Sequence, residues 1–193
     1  MATPHDFADV FDQLERDKVR YVVVSGVAVV LHGSVRPIVD LDLVIDGEPN
    51  EAHRAMLALA TTGFVPSIPL PLSMLTVLRM FDSLGREVDV FVRYQIPFEE
   101  LWRDSQRMAV GDSTARVASV EHVIRAKRVV GRPHDLLDIE GLAKVATQTG
   151  SVAVAGAPPS PVELSEMPPH HSLETSEAPA PSRPVQSMET DLL

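Results

Sequence analysis

At 193 residues with 45% apolar content, the chain has room for one ordinary domain with a real core and an appendage. It has no cysteine, which excludes a disulfide framework, a thiolate zinc site and a thiol nucleophile. Its net charge of −10 would argue against a nucleic-acid partner if evenly spread, but residues 151–193 hold six acids against Arg183 alone, half of the excess. The N-terminal Met-Ala-Thr-Pro-His-Asp-Phe lacks a basic region followed by an apolar stretch, and the apolar runs are far too short to span a bilayer. The expectation is a cytoplasmic protein with no membrane partner.

In chain order, Phe7, Val10, Phe11 and Leu14 recur at helical spacing, predicting a helix over 6–18. Tyr21-Val22-Val23-Val24 is a continuous apolar run and reads as a central strand. A short helix over 26–32 follows, stopped by Gly33. Residues 40–46 form the second strand, and 50–62 an amphipathic helix ending at Gly63. A strand is predicted over 75–81. Residues 86–93 alternate, with Val88, Val90 and Val92 on one face and Glu87, Asp89 and Phe91 on the other. A helix over 97–105 and a brief strand at 116–118 come next. Two helices, 119–130 and 134–147, are joined by Gly131-Arg132-Pro133. The fold class is α+β (mixed α/β), a small central mixed sheet flanked by helices, over residues 1–150. Residues 151–193 carry eight of the sixteen prolines with no helical or strand period, predicting a disordered tail in which the pair His170-His171 lacks ordered partners.

Chemistry enters at Val39-Asp40-Leu41-Asp42-Leu43-Val44-Ile45. Side chains alternate across a strand, so Leu41, Leu43 and Ile45 face one side and both carboxylates the other. Like charges side by side repel unless a cation neutralises them, and carboxylate oxygens suit Mg²⁺ or Mn²⁺. Asp89 would bring a third carboxylate to that face if its strand pairs beside 40–46. Its bland alternative is a solvated position on a half-exposed strand. Ser25-Gly26, at a strand-to-helix turn, lets phosphate approach free N–H groups, although a glycine serving only tight helix–strand packing is the competing explanation. Lys127 falls on the apolar stripe of Val120, Val123 and Ile124, so it either snorkels outward or faces an anionic pocket. Arg125 and Arg128 fall off that stripe. With Arg116 and Arg132 these cations make a basic strip over 116–132, opposed by Glu121 alone, that can meet an anionic ligand. Asp135 and Asp138 open the last helix, as caps or as partners that orient Lys127 or Arg132. Arg36 is either a phosphate contact or a surface arginine. His32 stabilises a helix end, and Tyr94, Phe98 and Trp102, four apart, read as packing rather than a base-stacking platform.

Taken together, Ser25-Gly26, the gap of fourteen residues, Asp40-Leu41-Asp42, Asp89, and Lys127 followed by Arg132-Pro133-His134-Asp135-Leu136-Leu137-Asp138 resemble the polymerase-β-like nucleotidyltransferase superfamily over about residues 20–147. The finer likeness is to its minimal bacterial members, similar to AbiEii-type (MenT-like) toxins. Two departures stand out. Ser25 replaces the first glycine of the turn, and Ile38 replaces the usual threonine of the strand, which removes one hydroxyl donor. The resemblance implies a Mg²⁺-dependent enzyme that moves a nucleoside monophosphate from an NTP to an acceptor hydroxyl. It implies that Asp40, Asp42 and Asp89 bind metal, that Asp89 also helps deprotonate the acceptor, and that Ser25, Gly26, Arg36 and Lys127 hold the triphosphate. It further implies an RNA acceptor such as tRNA, and a cognate antitoxin as partner in a toxin–antitoxin pair. The residues alone leave open a nucleotide-binding regulatory module without turnover, a metal-dependent nuclease, or a partner-binding protein that docks through its Pro- and Glu-rich tail.

Overall fold

The computed structural model describes residues 2–148, so the expected tail over 151–193, with His170 and His171, lies outside the described residues. Two buried runs, Tyr21–Val24 and Leu41–Ile45 (apolar but for Asp42), make the centre of the sheet. β1 (Tyr21–Val24) and β2 (Leu41–Ile45) are buried along their whole length, which is why neither shows the alternation of a half-exposed strand. They pair antiparallel, with Val24 opposite Asp42. Beyond β2 lie β5 (Glu87–Phe91), parallel to it, then β4 (Val77–Phe81), antiparallel, and the two-residue edge strand β3 (Val65–Pro66). Beyond β1 lie β7 (Ser113–Val117), parallel to it, and the antiparallel edge strand β6 (Gln106–Val110). The result is a seven-stranded mixed sheet in the order β3-β4-β5-β2-β1-β7-β6.

Among the described residues six α-helices accompany the sheet: α1 (Ala8–Arg16), α2 (Ser25–Leu31), α3 (Pro49–Thr61), α4 (Phe98–Asp104), α5 (Val120–Val130) and α6 (Pro133–Gln148). α1 packs on α3 and β7, and α5 on α2 and α6. The stripe predicted for α1 is fully buried, and Phe11 stacks on Tyr21 with ring centroids 6.4 Å apart. Leu41, Leu43 and Ile45 are buried in the same core, as the strand parity requires. The sheet flanked by helices is the mixed α/β architecture expected from the sequence. Among the described residues no helix is long and apolar enough to cross a membrane.

The edge strands β3 and β6 have no counterpart among the expected elements, and β7 is longer than expected. Only 116–118 was expected to be extended, whereas β7 spans Ser113–Val117 and pairs with β6 through the two-residue turn Gly111-Asp112. Gly111 has φ of +62°, the left-handed conformation that such turns demand. β6 is an edge strand in which Gln106, Arg107 and Ala109 are exposed and Val110 alone is buried, so its period is faint. The Gly-Asp pair was its legible signal.

Candidate active site

Cross-strand partners stand on the same face of a sheet. The register places Arg79 of β4 opposite Asp89 of β5, Asp89 beside Asp42 of β2, and Asp42 opposite Val24 of β1, one row across four strands. Asp40 lies two residues before Asp42 and joins the same face. Carboxylate oxygens of Asp40, Asp42 and Asp89 all lie within 4.8 Å of one another.

The three carboxylates are not equivalent. Asp42 is 9% exposed. Burial, then the charges of Asp40 and Asp89, push its pKa up to about 7, against a hydrogen bond from the Ser25 side chain and the charge of Lys127. Asp89 has its own cation: Arg79 Nε donates to Oδ1 at 2.8 Å and an Arg79 terminal nitrogen to Oδ2 at 2.7 Å. The same guanidinium lies 3.6 Å from Asp40 and 3.1 Å from Glu87, and these bonds hold it above its ordinary pKa. Three hard oxygen donors around a nearly buried, undercompensated carboxyl fit a hard divalent cation. Asp40, Asp42 and Asp89 are the residues that would hold Mg²⁺ or Mn²⁺. Because protons and metal then compete for Asp42, saturating Mg²⁺ is expected to raise the melting temperature more at about pH 8 than at about pH 5. An equal rise at both pH values would contradict this assignment.

β1 runs straight into α2, and the turn forces Ser25 to φ of +56°. A left-handed conformation costs a non-glycine residue roughly 1–2 kcal/mol, and it directs the Ser25 side chain into the cavity beside Asp42. Ser25→Gly is expected to relieve that strain while removing the bond to Asp42, so urea unfolding is predicted to show a net gain of no more than about 1 kcal/mol. Gly26 is covered: a Cβ built there would lie 3.6 Å from Arg36 Cζ, ordinary contact distance. Neither Gly26 nor Arg36 lines the cavity.

Lys127 is 5% exposed on the buried face of α5. Its Nζ lies 3.0 Å from Asp135 Oδ1 and 2.6 Å from Asp138 Oδ2, and Asp138 also binds the Arg36 guanidinium. Asp135 is the third residue of α6 rather than its cap, and it reaches back to accept the Arg132 N–H at 3.1 Å. Lys127, Asp135 and Asp138, all buried, and the partly exposed Arg36 thus form one charged network beside the carboxylates. The basic strip is not one surface. Lys127 is internal, Arg116 sits 3.9 Å over the Trp102 ring, Arg125 binds Glu100, and Arg132 faces the carboxylate cavity. His32 bonds the Ala118 carbonyl at 2.7 Å, and burial keeps its pKa below the ordinary value, as suits a structural tie.

The cavity, about 300 Å³, is lined by the three aspartates, Ser25 and Lys127, and also by Arg79, Phe91, Tyr94, Gln95 and Arg132. Tyr94, expected to be packing, does both: it meets Phe91 edge-on at 5.5 Å and forms part of the wall. Phe98 and Trp102 pack on each other, away from this wall. Arg79 and Gln95 were missed. Arg79 sits mid-strand between Leu78 and Met80, a polar residue on an alternating strand, but only the register reveals its partner. Ile38 is 4% exposed and lines a different cavity with Phe7 and Arg86, so the missing threonine hydroxyl takes no donor from this one.

No protein-family model matches the chain, and no curated protein matches its sequence. Solved structures do match its fold. The lincomycin-bound lincosamide antibiotic adenylyltransferase LnuA aligns with a TM-score of 0.57 and 18% identity over 75% of this chain and 98% of that one. ANT(2″)-Ia, in complex with adenylyl-2″-tobramycin, gives 0.54 and 13% over 76% and 89%. A protein of Thermotoga maritima assigned as a nucleotidyltransferase gives 0.51 and 17% over 72% and 89%. The described chain has the nucleotidyltransferase fold.

Proposed function

We propose that the chain is a metal-dependent nucleotidyltransferase that moves a nucleoside monophosphate from an NTP to an acceptor hydroxyl. The observation that supports this best is the convergence of Asp40, Asp42 and Asp89 within 4.8 Å on one sheet face, beside a cavity bordered by Ser25 and Lys127. The acceptor oxygen attacks the α-phosphorus, the bond from that phosphorus to the oxygen bridging to the β-phosphate breaks, and pyrophosphate leaves. Asp89 takes the acceptor proton. Ser25 donates to the triphosphate, and Lys127, held by Asp135 and Asp138, offsets charge developing on the leaving group. A divalent ion bound by the aspartates would supply charge neutralisation and orient the phosphates. Arg36 acts from behind, through Asp138 and Lys127, rather than on the phosphates.

For the acceptor we favour an RNA such as tRNA, with a cognate antitoxin as partner, on the resemblance of Ser25-Gly26, Asp40-Leu41-Asp42 and the Lys127 to Asp138 segment to AbiEii-type toxins. A small-molecule hydroxyl is the second reading, favoured by the fold likeness to LnuA over 98% of that chain. Incubation with Mg²⁺, total RNA and each NTP labelled at the α-phosphate separates these readings. Label on RNA that Asp42→Ala abolishes supports the first. Pyrophosphate released only when a hydroxylated small molecule is added supports the second. RNA shortening would identify a nuclease, and nucleotide binding with no transfer to any acceptor would identify a regulatory module.

A further inference from the structure

Asp89 faces two partners that geometry makes exclusive. Both of its oxygens accept hydrogen bonds from Arg79, at 2.8 and 2.7 Å. A carboxylate gripped at two points by a guanidinium has its best lone pairs committed. The same guanidinium, 3.6 Å from Asp40, also puts a fixed positive charge beside the space that a divalent ion would fill. The pair is not sealed in. The Arg79 side chain is 46% exposed on β4, whose outer neighbour among the described residues is the two-residue β3. It can swing away without disturbing the core. The β4–β5 turn makes the arrangement a built feature: Asp82 Oδ1 accepts the N–H groups of Leu84 and Arg86 at 2.9 and 2.8 Å, fixing the register that sets Arg79 opposite Asp89.

We propose that Arg79 is a positioning residue, a tethered cation that holds Asp89 while the site is free of metal. It yields Asp89 when a divalent ion arrives with the nucleotide and transfers its guanidinium to a phosphate oxygen of that nucleotide. The proposal rests on the nucleotidyltransferase reading. In the intact protein a metal ion alone has to displace Arg79 and binds weakly. A metal ion with a triphosphate offers the displaced guanidinium a replacement anion, so the two ligands bind cooperatively.

The test is calorimetric titration of Mn²⁺ into wild type, Arg79→Gln and Arg79→Lys, with and without the α,β-methylene analogues of the four ribonucleoside triphosphates. Arg79→Gln is expected to bind Mn²⁺ alone about tenfold more tightly than wild type, since a half-exposed ion pair no longer competes. The gain in Mn²⁺ affinity that the nucleotide gives wild type shrinks in the variant. Arg79→Lys, which keeps the charge and loses the two-point grip, falls between them. It decides the matter if the glutamine variant fails to fold. Mn²⁺ affinities equal to or weaker than wild type, or an unchanged nucleotide effect, overturn the proposal. Failure of the underlying reading looks different: wild type then transfers no label to any acceptor, whatever the Mn²⁺ affinities do.

Discussion

Asp42→Asn is expected to stabilise the metal-free protein at about pH 8 while lowering nucleotidyl transfer by at least about 10³-fold, the loss of one principal metal contact. The stability gain follows from linkage. With a native pKa of about 7 and an ordinary unfolded value, Asp42 binds a proton in the native state that the unfolded chain has already lost between about pH 4 and pH 7. The native state therefore loses stability as pH rises through that window, by on the order of 4 kcal/mol, and the loss is complete above it. Asparagine keeps the shape, carries no charge, and can donate its N–H groups to Asp40 and Asp89. The melting temperature of metal-free Asp42→Asn should exceed that of wild type by several degrees at about pH 8, and the difference should vanish near pH 4. Equal melting curves at about pH 8 would mean that the carboxylate cluster is not electrostatically strained.

Lys127→Met is the second large effect. Removing the ammonium leaves Asp138 with Arg36 and Asp135, also buried, with only the exposed imidazole of His134 at 3.6 Å. Breaking a buried pair from one side costs roughly 3–5 kcal/mol because an uncompensated charge stays behind. Lys127→Met combined with Asp135→Asn should recover most of that stability. If the ammonium also offsets charge in the transition state, the double variant stays at least about 10²-fold below wild type in transfer although it is folded. A double variant with full activity would confine Lys127 to a structural role. Denaturant unfolding and label transfer on the same preparations separate the two contributions.

How much of this was legible in the sequence depended on the range of the interaction. The apolar run at 21–24 and the run at 41–45, apolar but for Asp42, announced buried strands, and side-chain parity alone put Asp40 and Asp42 on one face. Lys127 was conspicuous because it interrupts an apolar helical stripe, and its partners Asp135 and Asp138 follow within about three helical turns. Arg36 could not be read this way: its partner Asp138 is 102 residues distant, and nothing local distinguishes that arginine from a surface one. Arg79 was missed for a related reason. Its contact with Asp89 is set by the register of a hairpin, which hangs on Asp82 in the turn, and a strand pattern carries no register of its own. Gly26 reads from sequence as room for phosphate; that the Arg36 guanidinium lies 3.6 Å from the position of a Cβ there is set by the fold.

The most direct measurement is anomalous diffraction at the manganese edge from crystals soaked with Mn²⁺ and a non-hydrolysable NTP. The account predicts a peak bounded by the carboxylates of Asp40, Asp42 and Asp89, with the triphosphate extending toward Ser25 and Lys127 and the Arg79 guanidinium off Asp89. Manganese bound elsewhere, or a nucleotide seated away from these aspartates, would contradict it.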